Sequence, residues 1–232
     1  MQKINVYLRQ CYYSKLQEAS GKQRPEWWDK EKVFENFKGT LNPKTTKYTI
    51  IYDEYYGKIE DTFLSQENNI HIIKCGGEAK SFIETLKYIQ TQNHKADDII
   101  YFLEDDYVHR PGWDKILLEG FELGADYVTL YDHGDKYMEF YSEFRTKVLH
   151  SKSSHWMATP STTNTFAVKY STLIKDFSFH YKYSTNTEPS LDHQKFLEMG
   201  KNGRVLISSI PGYSTHCQEN LLSPCIDWEA YL

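Results

Sequence analysis

The 232-residue chain lacks several common features, and each absence removes a class of protein. No apolar run approaches the ~20 residues needed to cross a bilayer. The opening residues, Met1-Gln2-Lys3-Ile4-Asn5-Val6, pass straight into strand-like sequence, so no secretory leader is expected. There is no long block of like charge; the formal net charge is −5, without the basic stripe of a sequence-independent DNA or RNA binder. Cysteine is scarce. The four, Cys11, Cys75, Cys217 and Cys225, form no CxxC pair and suit a reduced, cytoplasmic protein, although a Cys217–Cys225 disulfide stays open. No internal repeat, low-complexity linker or domain boundary is visible.

Aromatic residues, by contrast, are plentiful. They make up 16% of a chain that is 40% hydrophobic, enough for a sizeable core. The 19 tyrosines and 5 tryptophans also suit stacking on bases or sugar rings.

Hydrophobic patterning predicts an alternation of strands and helices. Strands are expected at Ile4–Leu8, Tyr48–Tyr52, Ile70–Lys74, Ile99–Leu103 and Asp126–Tyr131. Amphipathic helices are expected around Val33, Phe34 and Phe37, around Ala79, Phe82, Ile83, Leu86 and Ile89, and after Pro111-Gly112. This order implies an α/β fold with a mostly parallel central sheet flanked by helices. Residues 132–161 show no period and are expected to form a mobile loop that orders on ligand binding. A returning strand is expected at Thr163–Val168, a helix at Leu191–Met199, a last strand at Val205–Ser209 and no element after Pro211. Trp27 and Trp28 are expected in the core or in a hydrophobic staple.

The densest chemistry lies in Ile99-Ile-Tyr-Phe-Leu-Glu-Asp-Asp106. A strand buried on both faces would end here in three adjacent carboxylates, where open α/β sheets bind their ligands. Two such charges about 4 Å apart repel by roughly 4 kcal/mol at an effective dielectric of 20. A divalent cation would relieve that repulsion; a solvated acidic turn is the plainer alternative.

With Glu104-Asp105-Asp106 in this position, the chain resembles the GT-A glycosyltransferases. Two further motifs follow in family order: Glu188-Pro-Ser-Leu-Asp-His-Gln194 before a helix, and Tyr213-Ser-Thr-His-Cys217 near the end. The pattern departs from the family in two places. Glu104 stands where the usual first aspartate would be, and Leu191 where a second acid usually neighbours Asp192.

The resemblance implies one GT-A-like, Rossmann-like domain over residues 1–232. Residues up to about 110 would form the nucleotide-binding half. The remainder would form the acceptor half, including a smaller β/loop region. Asp106 and His216 would hold Mn2+ (or Mg2+), the imidazole favouring manganese. Glu104 would meet the ribose or support the metal's ligands, and Asp105 stays open between the roles of Asp106 and Glu104. Asp192 would be the catalytic base in an inverting transfer, or simply an acid favouring the helix N-terminus.

Donor-binding candidates read from the residues are Arg9 and Asp53 at strand ends, Gly76-Gly77 with the following helix N-terminus and, more weakly, Lys80 and Ser81. Trp156 could stack on a sugar, with Thr163 and Asn164 hydrogen-bonding the donor. Each has a plain structural alternative: surface charge, turn, or polar loop with a buried indole.

The implied activity is a metal-dependent hexosyl- or pentosyltransferase, moving sugar from a nucleoside-diphosphate sugar to a glycan or other hydroxyl acceptor. The alternatives are a nucleotidyltransferase and a non-catalytic carbohydrate-binding relative. Nucleotidyltransferases often carry a Gly-rich basic loop after the first strand; residues 9–23 contain only Gly21.

Overall fold

The computed structural model describes residues 3–14, 21 and 23–232. Much of the loop expected after the first strand, residues 15–20 and 22, lies outside the described residues.

The strands of the first half are β1 (Ile4–Cys11), β2 (Thr46–Asp53), β3 (Ile70–Ile73), β4 (Ile99–Glu104) and the short β5 (Tyr107–His109). Those of the second half are β6 (Tyr127–Thr129), β7 (Val148–His150), β8 (His155–Ala158), β9 (Phe166–Lys169), β10 (Leu206–Ile210) and β11 (Ser214–His216). Nine of these form one sheet in the order β3-β2-β1-β4-β9-β6-β10-β8-β7. The β3-β2-β1-β4 part is parallel, and β9 enters antiparallel between β4 and β6.

Helices cover both faces: α1 (Lys30–Thr40), α2 (Glu78–Thr91), α3 (Trp113–Glu122), α4 (Tyr170–Lys175), α5 (Phe177–Lys182) and α6 (Asp192–Lys201). Among the described residues, no helix is long and apolar enough to cross a membrane.

Alternation along β1 divides the core. Val6 and Leu8 face α1 and α3, in a cluster with Phe34, Tyr101 and Trp113. Tyr7 faces the other side, with Phe82, Phe102, Phe166 and Phe196. The start of α1 is fixed by Asp29, whose carboxylate accepts from the Lys32 N–H at 2.9 Å. Trp28 just before this cap clusters with Val33 in the second turn, the arrangement of a hydrophobic staple.

Two expectations are corrected, and two short helices are added. Residues 132–161 are not one irregular loop, because β7 and β8 pair as a hairpin that extends the sheet beyond β10. The tail does contain an element: β11 pairs antiparallel with β5. Tyr170 to Lys182 folds as two short helices that the sequence reading missed. All four cysteines are free thiols, so the Cys217–Cys225 bridge does not form.

Register determines what meets at the sheet's C-terminal rim. Arg9 lies opposite Glu104, and Cys11 lies opposite Asp53. The β5–β11 ribbon pairs His216 with Tyr107, immediately after Asp106.

Candidate nucleotide-binding site at the sheet rim

A cavity of about 390 Å3 opens over this rim. Its wall includes Arg9, Gln10, Arg24, Asp53, Gly76, Gly77, Glu78, Ser81, Glu104, Asp105, Asp106 and Glu188. Of the candidates from sequence, Arg9, Asp53, Gly76, Gly77, Ser81 and the acidic triplet are brought together here.

Carboxylates outnumber cations on the wall, so cations are shared. Arg9, 6% exposed, donates to Glu78 Oε1 at 3.0 Å and to Glu104 Oε1 at 2.9 Å. One guanidinium serving two carboxylates leaves them unequal. Glu78 is held below the usual carboxylate range: burial pushes it up, but Arg9 and hydrogen bonds from Ser190 and Asn164 outweigh that. Glu104 is pushed up by burial, against the pull of Arg9.

Asp105 pairs with Lys30 Nζ at 2.7 Å. Asp106, 7% exposed, receives Arg24 Nη2 at 2.7 Å and faces His216 Nε2 at 2.9 Å, both on the same oxygen, Oδ2. The His216 ring stacks on Tyr107 with centroids 5.1 Å apart.

Asp53 is anchored structurally. Its carboxylate accepts from the N–H groups of Cys75 (2.9 Å), Gly76 (2.8 Å) and Tyr55 (3.1 Å), tying the end of β2 to the loop after β3. Gly76 has φ +69°, and a Cβ there would also strike the Tyr55 ring at 2.6 Å.

The N-terminus of α2 does not stand open to a ligand as expected. Glu188 Oε1 accepts from the Glu78 N–H at 2.8 Å and sits 3.4 Å from the Ala79 nitrogen. Gly77 has no side chain in the space beside the Glu188 carboxylate. In return, Glu78 Oε2 accepts from the Ser190 N–H at 2.8 Å. The chain's own carboxylate thus uses the helix terminus.

Behind the wall lies a buried polar relay. Asn164 donates to Glu78 Oε1 at 2.9 Å and accepts from Lys195 Nζ. Lys195 is 0% exposed and caged by Phe82, Phe166 and Phe196, with Nζ 4.6–5.2 Å from the ring centroids. Burial pulls its ammonium down to about 8, against Asp192 and Glu78.

Asp192 opens α6, and its carboxylate accepts from the His193 N–H at 2.8 Å. Burial raises its carboxyl, with Lys195 opposing. Asp192 is not on the cavity wall; it feels the charges of Lys195 and Glu78 without a hydrogen bond to either.

Other candidates lie outside the cavity. Lys80 points to solvent. Thr163 Oγ1 is 2.7 Å from the Tyr107 hydroxyl. Trp156 is corrected outright: it is 0% exposed, packs against Gly120 and Val128 neighbours in the core, and donates its indole N–H to Ser151 at 3.0 Å. It has no face left for a sugar. The sequence reading missed Gln10, Arg24, Lys30, Glu78, Glu188 and Lys195.

On the wall, Nε of Arg9 and Oε1 of Gln10 are buried polar atoms without a hydrogen-bond partner among the described residues. Such atoms have a desolvation cost that a polar ligand could remove.

No protein-family model and no curated relative matches the sequence. Solved structures do resemble the fold. One is a CMP-2-keto-3-deoxy-manno-octonic acid synthetase complexed with CTP, at TM-score 0.51 and 14% identity, covering 91% of this chain and 92% of that one. The bifunctional IspDF of Campylobacter jejuni has TM-score 0.48 and 11% identity over 96% of this chain and 52% of that one. A197 from STIV has TM-score 0.46 and 11% identity over 96% of this chain and 91% of that one. The first likeness shows the fold alone, a Rossmann-like α/β architecture.

Proposed function

We propose that this chain is a transferase that binds a nucleotide in the rim cavity, with a divalent cation at Asp106 and His216. The observation that carries the reading is the carboxylate–imidazole pair, 2.9 Å apart, whose Asp106 lines a 390 Å3 cavity beyond the parallel strands.

The donor set suits manganese or magnesium in part. One carboxylate and one imidazole are present, and no third His, Cys, Asp or Glu completes a cluster among the described residues. Phosphate oxygens and water would fill the remaining positions. When bound, the cation would act as a Lewis acid on the leaving phosphate. Arg9 would set the charge of the wall beside it, and the Asp53 clamp would hold the floor rigid. Asp192, its carboxyl raised by burial, is the candidate base for an acceptor hydroxyl.

Two transfers fit this site. Nucleotidyl transfer, the alternative from sequence, has a fold comparison in its favour, because one similar structure is a CMP–sugar-acid synthetase with CTP bound. Glycosyl transfer has the order of the three motifs in its favour. Incubation with nucleoside triphosphates plus sugars, and separately with nucleotide sugars, each with and without Mn2+, distinguishes them. Pyrophosphate release supports the first, and nucleoside diphosphate release the second. No nucleotide binding under any condition overturns both.

A further inference from the structure

Arg24 reaches the rim from the loop before α1. Nη2 donates to Asp106 Oδ2 at 2.7 Å, and Nη1 donates to the Cys217 carbonyl at 2.6 Å. The guanidinium lies 4.8 Å from the centroid of Trp28, its side chain is 13% exposed, and it forms part of the cavity wall. The oxygen it takes is the one that His216 Nε2 faces at 2.9 Å.

A guanidinium and a divalent cation are alternative partners for that oxygen, since both are positive and both need its lone pairs. An arginine released from Asp106 would still stand on the wall of the cavity. Its planar fork of N–H donors matches phosphate oxygens as well as carboxylate. Arg24 therefore has two partners available in one place, the Asp106 carboxylate and a ligand's phosphate.

We propose that Arg24 is the resident counter-ion of Asp106, competing with the divalent cation, and that the ligand's phosphate takes it over when the cation enters. The inference rests on the cation reading above and adds a consequence to it. Cation and phosphate binding are interdependent through one side chain, and the dependence is reciprocal. Arg24 acts here as a positioning residue.

The test is direct Mn2+ titration, read as free Mn2+ by electron paramagnetic resonance, without nucleotide. Wild type is compared with Arg24→Gln, Arg24→Lys and Asp106→Asn. Arg24→Gln is expected to bind Mn2+ at least fivefold more tightly than wild type. Arg24→Lys, which keeps the charge, stays within twofold, and Asp106→Asn loses binding. Inorganic pyrophosphate in the presence of Mn2+ should bind Arg24→Gln more weakly than wild type. Arg24→Met, which keeps the stem over Trp28, repeats the comparison should the Gln variant not fold.

Equal Mn2+ affinity in wild type and Arg24→Gln, with loss in Asp106→Asn, overturns the role of Arg24 and leaves the cation site standing. Tightening in Arg24→Lys equal to that in Arg24→Gln also overturns it, because charge would not be the cause. Mn2+ binding to none of the proteins, or to all alike, removes the cation site and this inference together.

Discussion

Replacing Lys195 by Met should change how stability depends on pH. The Lys195 ammonium has no solvent exposure, and burial pulls it from 10.5 down to about 8. Asp192, Glu78 and Glu104 favour the charged form, while Arg9 disfavours it. The native pKa lies below the unfolded one, so the native state sheds its proton first. Between about pH 8 and 10.5 the unfolded chain holds more protons, and stability rises with pH across that window. The slope is about 1.4 kcal/mol per pH unit, giving about 3 kcal/mol in total. Below pH 8 this penalty is fully present.

Urea unfolding of wild type and Lys195→Met at several pH values from 7 to about 10.5 isolates the term, because titrations common to both proteins cancel. The stability difference should move by about 2–3 kcal/mol in favour of wild type as pH rises. Loss of the bond to Asn164 offsets the curves by a roughly constant amount without altering this trend. Parallel curves over the whole range would refute the reasoning, since they would mean that Lys195 keeps its proton as readily folded as unfolded.

Trp156→Ala should cost about 3–5 kcal/mol in urea unfolding while leaving nucleotide affinity unchanged; a specific loss of affinity in a stable variant would restore Trp156 to the site. Glu188→Ala should speed hydrogen exchange at the Glu78 and Ala79 amides and cost about 0.5–1 kcal/mol, and unchanged exchange would show that the clasp on α2 does not persist in solution. Asp192→Asn should bind nucleotide normally and lose transfer; full transfer would reduce Asp192 to a helix-terminal acid.

The fold was legible where patterning was strong. The β4 run and the Phe82–Ile89 periodicity each specify one element, because each must bury a continuous apolar stripe. The β5–β11 ribbon was not legible, as three residues per strand carry no period and the pairing joins segments a hundred residues apart. The β7–β8 hairpin hid in polar sequence because β7 is an edge strand with two of three residues exposed.

At the site, strand-end residues such as Arg9 and Asp53 could be picked out because strand ends are local. Arg24, Glu188 and Lys195 could not, because their roles come from tertiary partners: Asp106, the α2 terminus and Asn164. Trp156 shows the converse error. Its polar neighbours suggested a binding loop, but the pleat turns the indole inward against Gly120.

The central claim is a nucleotide and a divalent cation held together at the sheet rim. Diffraction from crystals soaked with Mn2+ and a nucleoside diphosphate, collected for manganese anomalous signal, tests it most directly. The account predicts an anomalous peak contacting both Asp106 and His216, with nucleotide density in the cavity bounded by Arg9, Asp53 and Glu104. A peak remote from Asp106, or nucleotide bound elsewhere on the molecule, would contradict it.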